Sequence, residues 1–414
     1  MRILPLILLI SCAEKDDIVA PPLVGADCSE REYTLPSTRG EVAGVWDAAR
    51  ARMVFFGGDE GMPVSCIPKP EFTGEVWAFH PDCNNFELLY SWLAEALESE
   101  AVPNAPHPRS RHAIALDEAR GRMLVSGGRY RASASGDYDL FDDLWALDLA
   151  TDTWAELPSE DAPRKRVTHT MVVAGDQALI YGGNSTESAT NYVPLADLWS
   201  YDLVDGVWAE LDSDTPAGAR LFHTATVSDD GSTMFIYGGA NENALFGPFF
   251  DDLWAYDVAS AEWTELHSGG SSAPDGRIMP NLLFDGTHNR LLLWSGHDDG
   301  SLGNTNQVWA FDLDAKAWDN LEGGDEQTND ANGFCDFPAD FVDIDADAPE
   351  RRYFGSAVLS EDELLVFGGK TDCGQVNDVW GWSLDGESWT ERSSATFGEV
   401  CLRASAGDCS SLCY

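Results

Sequence analysis

The chain of 414 residues carries 71 Asp and Glu against 25 Lys and Arg, a formal net charge of −46 scattered along its length. That balance repels polyanions and argues against nucleic-acid binding, which draws its affinity from basic side chains on phosphates. With 44% hydrophobic residues, 38 Gly and 15 Trp, the composition is that of a folded, turn-rich protein rather than a disordered one.

At the N-terminus, Arg2 precedes an apolar run from Ile3 to Ile10, then Ser11 and Cys12. The run is far short of the about 20 residues needed to cross a bilayer, so it reads as an export signal. The tetrad Leu9-Ile10-Ser11-Cys12 resembles the lipobox of bacterial lipoproteins. That resemblance implies a signal peptide over residues 1–11, lipid on Cys12, and, with Ala13 next, an outer-membrane anchor in the cell envelope; an ordinary signal cut elsewhere is the other reading. Residues 12–30 are polar, proline-containing and aperiodic, as a tether would be. Of the nine cysteines, Cys28, Cys66, Cys83, Cys335, Cys373, Cys401, Cys409 and Cys413 remain if Cys12 is acylated, an even number suited to an oxidising compartment. None sits in a zinc-ligand pattern.

From Arg31 onward, short apolar runs alternate with Gly/Asp/Asn turns, which predicts antiparallel strands without helical periodicity. Six units overlay on four marks. Glycine doublets fall at Gly57-Gly58, Gly127-Gly128, Gly182-Gly183, Gly238-Gly239, the degenerate Ser295-Gly296, and Gly368-Gly369. Tryptophans follow at Trp77, Trp145, Trp199, Trp254, Trp309 and Trp380, and nine residues after each comes Phe86, Trp154, Trp208, Trp263, Trp318 or Trp389. An arginine precedes every doublet by 16 or 18 residues: Arg39, Arg109, Arg166, Arg220, Arg277 and Arg352. Each unit reads as four strands a to d, with a after the arginine, b ending at the doublet, and c and d carrying the two aromatics. The doublets suit the place where strand b meets a crowded centre.

These units resemble kelch repeats. The resemblance covers residues 31–392 and implies an all-β, six-bladed β-propeller over residues 31–396, followed by a cysteine-containing tail at 397–414. Kelch propellers include binding platforms and unrelated enzymes, among them galactose oxidase and a sialic acid mutarotase, so the fold alone does not assign a function. Ring closure stays open at this level: residues 31–35 read like a d strand, yet the sixth unit already owns one at 387–391.

Antiparallel order puts the a–b and c–d turns on one face and the longer b–c and d–a loops, with insertions at 91–107 and 319–350, on the other. Variable loops on a rigid scaffold make that second face the expected binding site. Residues just after the doublets are expected nearest the axis: Asp59, Arg129, Asn184, Asn241, His297 and Lys370, with Tyr130, Arg131 and Asp298 beside them. His112, His169 and His223 repeat at one position of three successive units, as a structural role requires, whereas His297 beside Asp298 is a candidate ligand contact. Asp343, Asp345 and Asp347 alternate as calcium-ligating oxygens would, but without the glycine and distal glutamate of an EF-hand loop.

On this layout Cys66 and Cys83 lie at opposite ends of a strand of roughly 17–20 Å. A disulfide needs Cα atoms within about 7 Å, which argues against that pair. Cys335 and Cys373 share a face and a blade boundary and are the candidate disulfide. No nucleophile elbow, phosphate loop or catalytic Cys/His pair occurs. The favoured reading is an exported, lipid-anchored kelch propeller that binds a protein or glycan through the b–c and d–a face. The alternative is a carbohydrate-active enzyme, galactose oxidase-like or mutarotase-like, with no cofactor assigned beyond the weak calcium match.

Overall fold

The computed structural model describes residues 34–61, 71–99, 102–133, 136–188, 191–244, 246–298, 303–327, 342–343, 347–371 and 374–396. Six four-stranded antiparallel blades surround an axis. Blade 1 is built from Ala43–Asp47, Arg52–Phe56, Glu75–His80 and Asn85–Ser91. Blade 6 is built from Ser356–Leu359, Glu363–Thr371, Gln375–Ser383 and Trp389–Ser393, joined by the short strand Arg352–Tyr353. Strand b is the apolar centre of each sheet: Arg52–Phe56 and Glu363–Thr371 are buried almost throughout, because both faces of every blade pack on neighbours. The first strands of successive blades lie side by side around the axis. The innermost element is therefore strand a, and the doublets mark the seams between blades rather than the centre expected above. The first insertion also departs from the all-strand expectation, because Trp92–Ser99 forms a helix.

One construction recurs in every blade. The guanidinium of Arg166 donates to Asp197 at 2.9 and 2.8 Å and to the Gly182 carbonyl at 3.0 Å. The Trp199 indole N–H donates to the same carboxylate at 2.8 Å. Arg109 with Asp143 and Trp145, Arg220 with Asp252 and Trp254, and Arg352 with Asp378 and Trp380 repeat it. Glu75 takes the acid's place in blade 1 and neutral Gln307 in blade 5. All six arginines are at most 2% exposed. Burying a charge at such depth is tolerable only when it is paired and hydrogen-bonded, and this arrangement supplies both.

The same arginines stitch blade to blade. The second doublet residue donates its N–H to the arginine carbonyl of the next blade: Gly58 to Arg109, Gly128 to Arg166, Gly183 to Arg220, Gly239 to Arg277, Gly296 to Arg352 and Gly369 to Arg39, all at 2.9–3.0 Å. The first glycine holds a left-handed backbone, and a Cβ added at Gly127 would meet the Arg166 carbonyl oxygen at 2.7 Å. Aromatic contacts cross the same seams, from Phe56 to Trp154, Tyr181 to Trp263, Tyr237 to Trp318 and Trp294 to Trp389, with ring centroids 5.2–5.8 Å apart.

Closure needs no exchanged strand. Blades 1 and 6 meet through the Gly369–Arg39 bond, an Arg39 N–H to the Val376 carbonyl at 3.1 Å, and Phe55 stacked on Phe367 at 4.0 Å. Thr34, from the stretch that resembled a d strand, instead bridges Phe86 on the outer strand of blade 1. Cys83 is disulfide-bonded and is the one cysteine among the described residues, so its partner lies outside them. The Cys335–Cys373 candidate pair also lies outside them.

The buried arginines set the first test. Asp197→Ala strands the Arg166 charge and is expected to cost about 3–5 kcal/mol. Asp197→Gln, which copies blade 5, is expected to cost clearly less. Urea unfolding of both variants checks this, and equal losses would show that pairing at this position is not what holds the blade.

Candidate functional site

The axis is ringed on the loop face by one residue from each blade, always two beyond the blade's arginine: Glu41, Arg111, Thr168, Phe222, Met279 and Phe354. All six are non-glycine residues in the left-handed region, with φ of 58°, 53°, 59°, 59°, 57° and 56°. Such a conformation is costly for bulky side chains and persists only where the surroundings impose it. Here a chain of bonds around the axis does so. Arg111 N–H donates to the Glu41 carbonyl, Thr168 to Arg111, Phe222 to Thr168, Met279 to Phe222, and Glu41 to Phe354, at 2.7–3.4 Å. Nothing in residue type flagged these positions in the sequence; only their constant offset from the arginine could have.

One side of this ring, at Glu41 and Arg111, is charged. Glu41, with a fully buried side chain, accepts from Ser110 Oγ at 2.6 Å, Arg111 at 2.8 Å, Arg129 at 3.1 Å and Lys370 Nζ at 2.9 Å. Lys370 also reaches Asp59 at 3.3 Å. Burial opposes the Glu41 charge, yet Arg111, Arg129 and Lys370 hold its carboxyl well below the usual range. Burial likewise opposes the Lys370 charge, but Glu41 and Asp59 push it up to about 12. Arg129 moves the other way, lowered by burial and by the neighbouring Arg111. The Arg129 and Arg131 guanidiniums lie over the Tyr138 ring at 4.0 and 4.4 Å. Arg131 donates to the Gly136 carbonyl, while its Nε and Nη2, and Nε of Arg111 and Arg129, are buried without a partner among the described residues. Three cations thus meet on Glu41, and one of them, Lys370, also reaches Asp59. The other side is aromatic: Arg111 lies over Phe222 and Phe354 at 5.1 and 4.8 Å, and Tyr192 and Tyr353 adjoin them.

The sequence candidates separate accordingly. Arg131 stands beside Arg129 on the Tyr138 ring, whereas Asp59, Arg129 and Lys370 come together around Glu41, which the sequence reading missed. They stand behind the ring, paired with the residue one beyond each arginine, as in Gly40–Asp59, Ser110–Arg129 and Tyr353–Lys370. The expectation that residues after the doublets lie nearest the axis is therefore corrected: they pair with the residue one place before the ring position. Tyr130 packs on His107 at 4.3 Å and on Phe72 at 5.6 Å. Asn184 is 3% exposed and closes its own loop, donating to the Thr186 carbonyl and accepting from Val193. Asn241 accepts from the Asn243 N–H, and His297 is buried with Nδ1 on Asn304 at 3.2 Å. Asp298 pairs its backbone with Arg277, and its side chain lies outside the description. Of the calcium candidates, Asp345 lies outside the described residues and Asp343 is described in its backbone alone. Among the described residues no three His, Cys, Asp or Glu side chains converge as metal ligands.

The repeated histidines sit beneath the ring. Their rings pack under the doublet of the preceding blade, where a Cβ on Gly57, Gly127 or Gly182 would meet Cε1 of His112, His169 or His223 at 3.0, 2.7 and 3.0 Å. Burial, then the nearby Arg109, lowers His112 to about 3; burial followed by Arg166 or Arg220 holds His169 and His223 well below the ordinary value. A histidine depressed in the folded state takes up its proton on unfolding, so its contribution is complete above about pH 6.5 and is lost as pH falls toward its folded value. Stability is expected to fall by about 2 kcal/mol per histidine between pH 6.5 and 5, and His112→Gln combined with His223→Gln should flatten that slope. Thermal unfolding over this pH window checks it, and an unchanged slope would assign the acid loss elsewhere.

Residues 27–213, 72–278 and 196–335 match the family described as the KLHDC2/KLHL20/DRC7 Kelch-repeats domain, together more than half of the chain. Among curated proteins, the chain is 31% identical over 188 residues to an N-(sulfonatooxy)prop-2-enimidothioate sulfolyase of Thlaspi arvense, covering 44% of this chain and 50% of that protein. It is 24% identical over 298 residues to Kelch domain-containing protein 10 of Homo sapiens, covering 69% and 60%. With Kelch domain-containing protein 2 of Bos taurus, identity is 29% over 219 residues, covering 51% and 50%. The chain therefore spans about half to three fifths of the length of these relatives.

Proposed function

The chain belongs to the Kelch-repeats family, and from that premise we propose that it is an exported, lipid-anchored scaffold that takes a protein partner on its b–c and d–a loop face. One observation carries the reading: a chain of net charge −46 gathers Arg111, Arg129 and Lys370 around two carboxylates at the centre of that face, with Arg131 beside Arg129 on the Tyr138 ring. Arg111, Arg129 and Lys370 keep 13%, 12% and 10% of their side-chain surface exposed, enough to meet a carboxylate of the partner. An acidic exterior around a basic centre steers an anionic segment to that centre and away from the rest of the surface.

A protein is favoured over a glycan by what surrounds this centre. Five of the nine large exposed hydrophobics among the described residues, Leu93, Leu97, Val102, Val193 and Phe246, sit on loops of the same face. Apolar side chains spread around charged ones suit a macromolecular surface better than a sugar. The disulfide at Cys83 supports export into an oxidising compartment. The lipobox-like tetrad supports anchoring at Cys12, with an outer-membrane destination. The relative named as a sulfolyase supports a second reading, catalysis on the same face; conversion of N-(sulfonatooxy)prop-2-enimidothioate by the purified chain would establish it.

The immobilised full chain, compared with Arg131→Ala and Arg129→Gln, is to be challenged with envelope extract. At least one protein held by the wild type is expected to drop about tenfold with either substitution, equivalent to about 1.4 kcal/mol, and to release as salt rises. Equal capture by all three, or none above bare resin, would sink the scaffold reading. Separately, Cys12→Ser should move the protein from the membrane to the soluble fraction, and unchanged partitioning would remove the anchor.

A further inference from the structure

Beneath the mouth ring the axis widens into a chamber of about 200 Å³ whose walls include His112, His169, His223, Thr170, Asn281 and Ser356. The three imidazoles are 5–6% exposed and Ser356 is 2% exposed. Both ring nitrogens of His112 and His169, Nδ1 of His223 and Oγ of Ser356 have no hydrogen-bond partner among the described residues. The Phe56 carbonyl lies near His112 without reaching hydrogen-bond geometry. His223 Nε2 meets Thr170 Oγ1 at 2.9 Å.

Left dry, each of these polar atoms would cost about 1–3 kcal/mol, too much for a ring that repeats the feature in three successive blades. The chamber far exceeds the about 10–15 Å³ that one water requires, and it is polar, the combination that distinguishes hydrated cavities from empty ones. A neutral imidazole offers one donor and one acceptor, so its guest must accept at one nitrogen and donate at the other. Water does both without bringing a charge beside Arg109, Arg166 and Arg220.

We propose that this chamber is a built site for a short column of bound water, held by His112, His169, His223 and Ser356. The waters complete the inner wall where all six blades meet, and they are as much a part of the ring as the side chains. On the loop face, Arg111, Phe222 and Met279 line a second cavity of about 160 Å³ that shares His112, His169 and His223 with the chamber. The column depends on the imidazoles and Ser356, whichever partner the loop face takes.

A high-resolution crystal structure of the full chain is expected to show ordered solvent at about 2.7–3.2 Å from the imidazole nitrogens. An empty chamber, or one that takes up xenon under pressure as dry apolar cavities do, would overturn the proposal. His169→Leu gives an independent reading in solution. If the chamber were dry, removing two unpartnered nitrogens would raise Tm; with a water column, the variant breaks the column's bonds and Tm is expected to fall by roughly 2–4 °C. His169→Gln, which keeps a donor and an acceptor, should stay within about a degree of wild type, so a Tm rise in the leucine variant would refute bound water even without crystals.

Discussion

A buried guanidinium in each blade is the constraint on which the rest of this propeller depends. Arg39, Arg109, Arg166, Arg220, Arg277 and Arg352 each bond the first doublet carbonyl of their own blade through the side chain and, through the backbone, the second doublet amide of the blade before. The acid or amide two residues before the first tryptophan fixes the guanidinium, and the indole fixes that acid. Every group satisfies another, so the charge can be buried without the penalty that an isolated ion would carry. Because the same atom groups also link neighbours, blade geometry and ring geometry are one problem with one solution, repeated around the axis.

Much of this was legible in the sequence. Doublet, arginine and paired aromatics give blade number and strand order directly, because architecture depends on residue types at fixed spacing. The second aromatic marks strand d and also the seam, since Trp154 packs on Phe56 and Trp318 on Tyr237 of the preceding blades. The acid of the relay was equally available, since Glu75, Asp143, Asp197, Asp252, Gln307 and Asp378 all stand two places before a tryptophan. It escaped notice because its identity varies.

The centre of the loop face was less legible, for a physical reason. What places Glu41, Arg111, Thr168, Phe222, Met279 and Phe354 at the mouth is a shared left-handed backbone, and backbone angle leaves no signature when the residues range from glutamate to phenylalanine. The sequence reading therefore found Asp59, Arg129 and Lys370 but not Glu41, the carboxylate that gathers them. The two ends of that salt-bridge set are 329 residues apart for Lys370 and Glu41, and only ring closure brings them together. A feature made by closure cannot be read from any one repeat.

Closure itself has a wider consequence. The four core strands of every blade come from one unbroken stretch of chain, including the first and the last, and the seam between those two uses the same bond from glycine amide to arginine carbonyl as the other five. The ring therefore has no mechanically privileged starting point. A gene opened between any two other blades and rejoined across the present seam would encode the same set of contacts, since permuted chains succeed where the cut falls in surface loops. The blade at which the chain starts and the cyclic order of blades around the axis are separable, and the seams between blades depend only on the second.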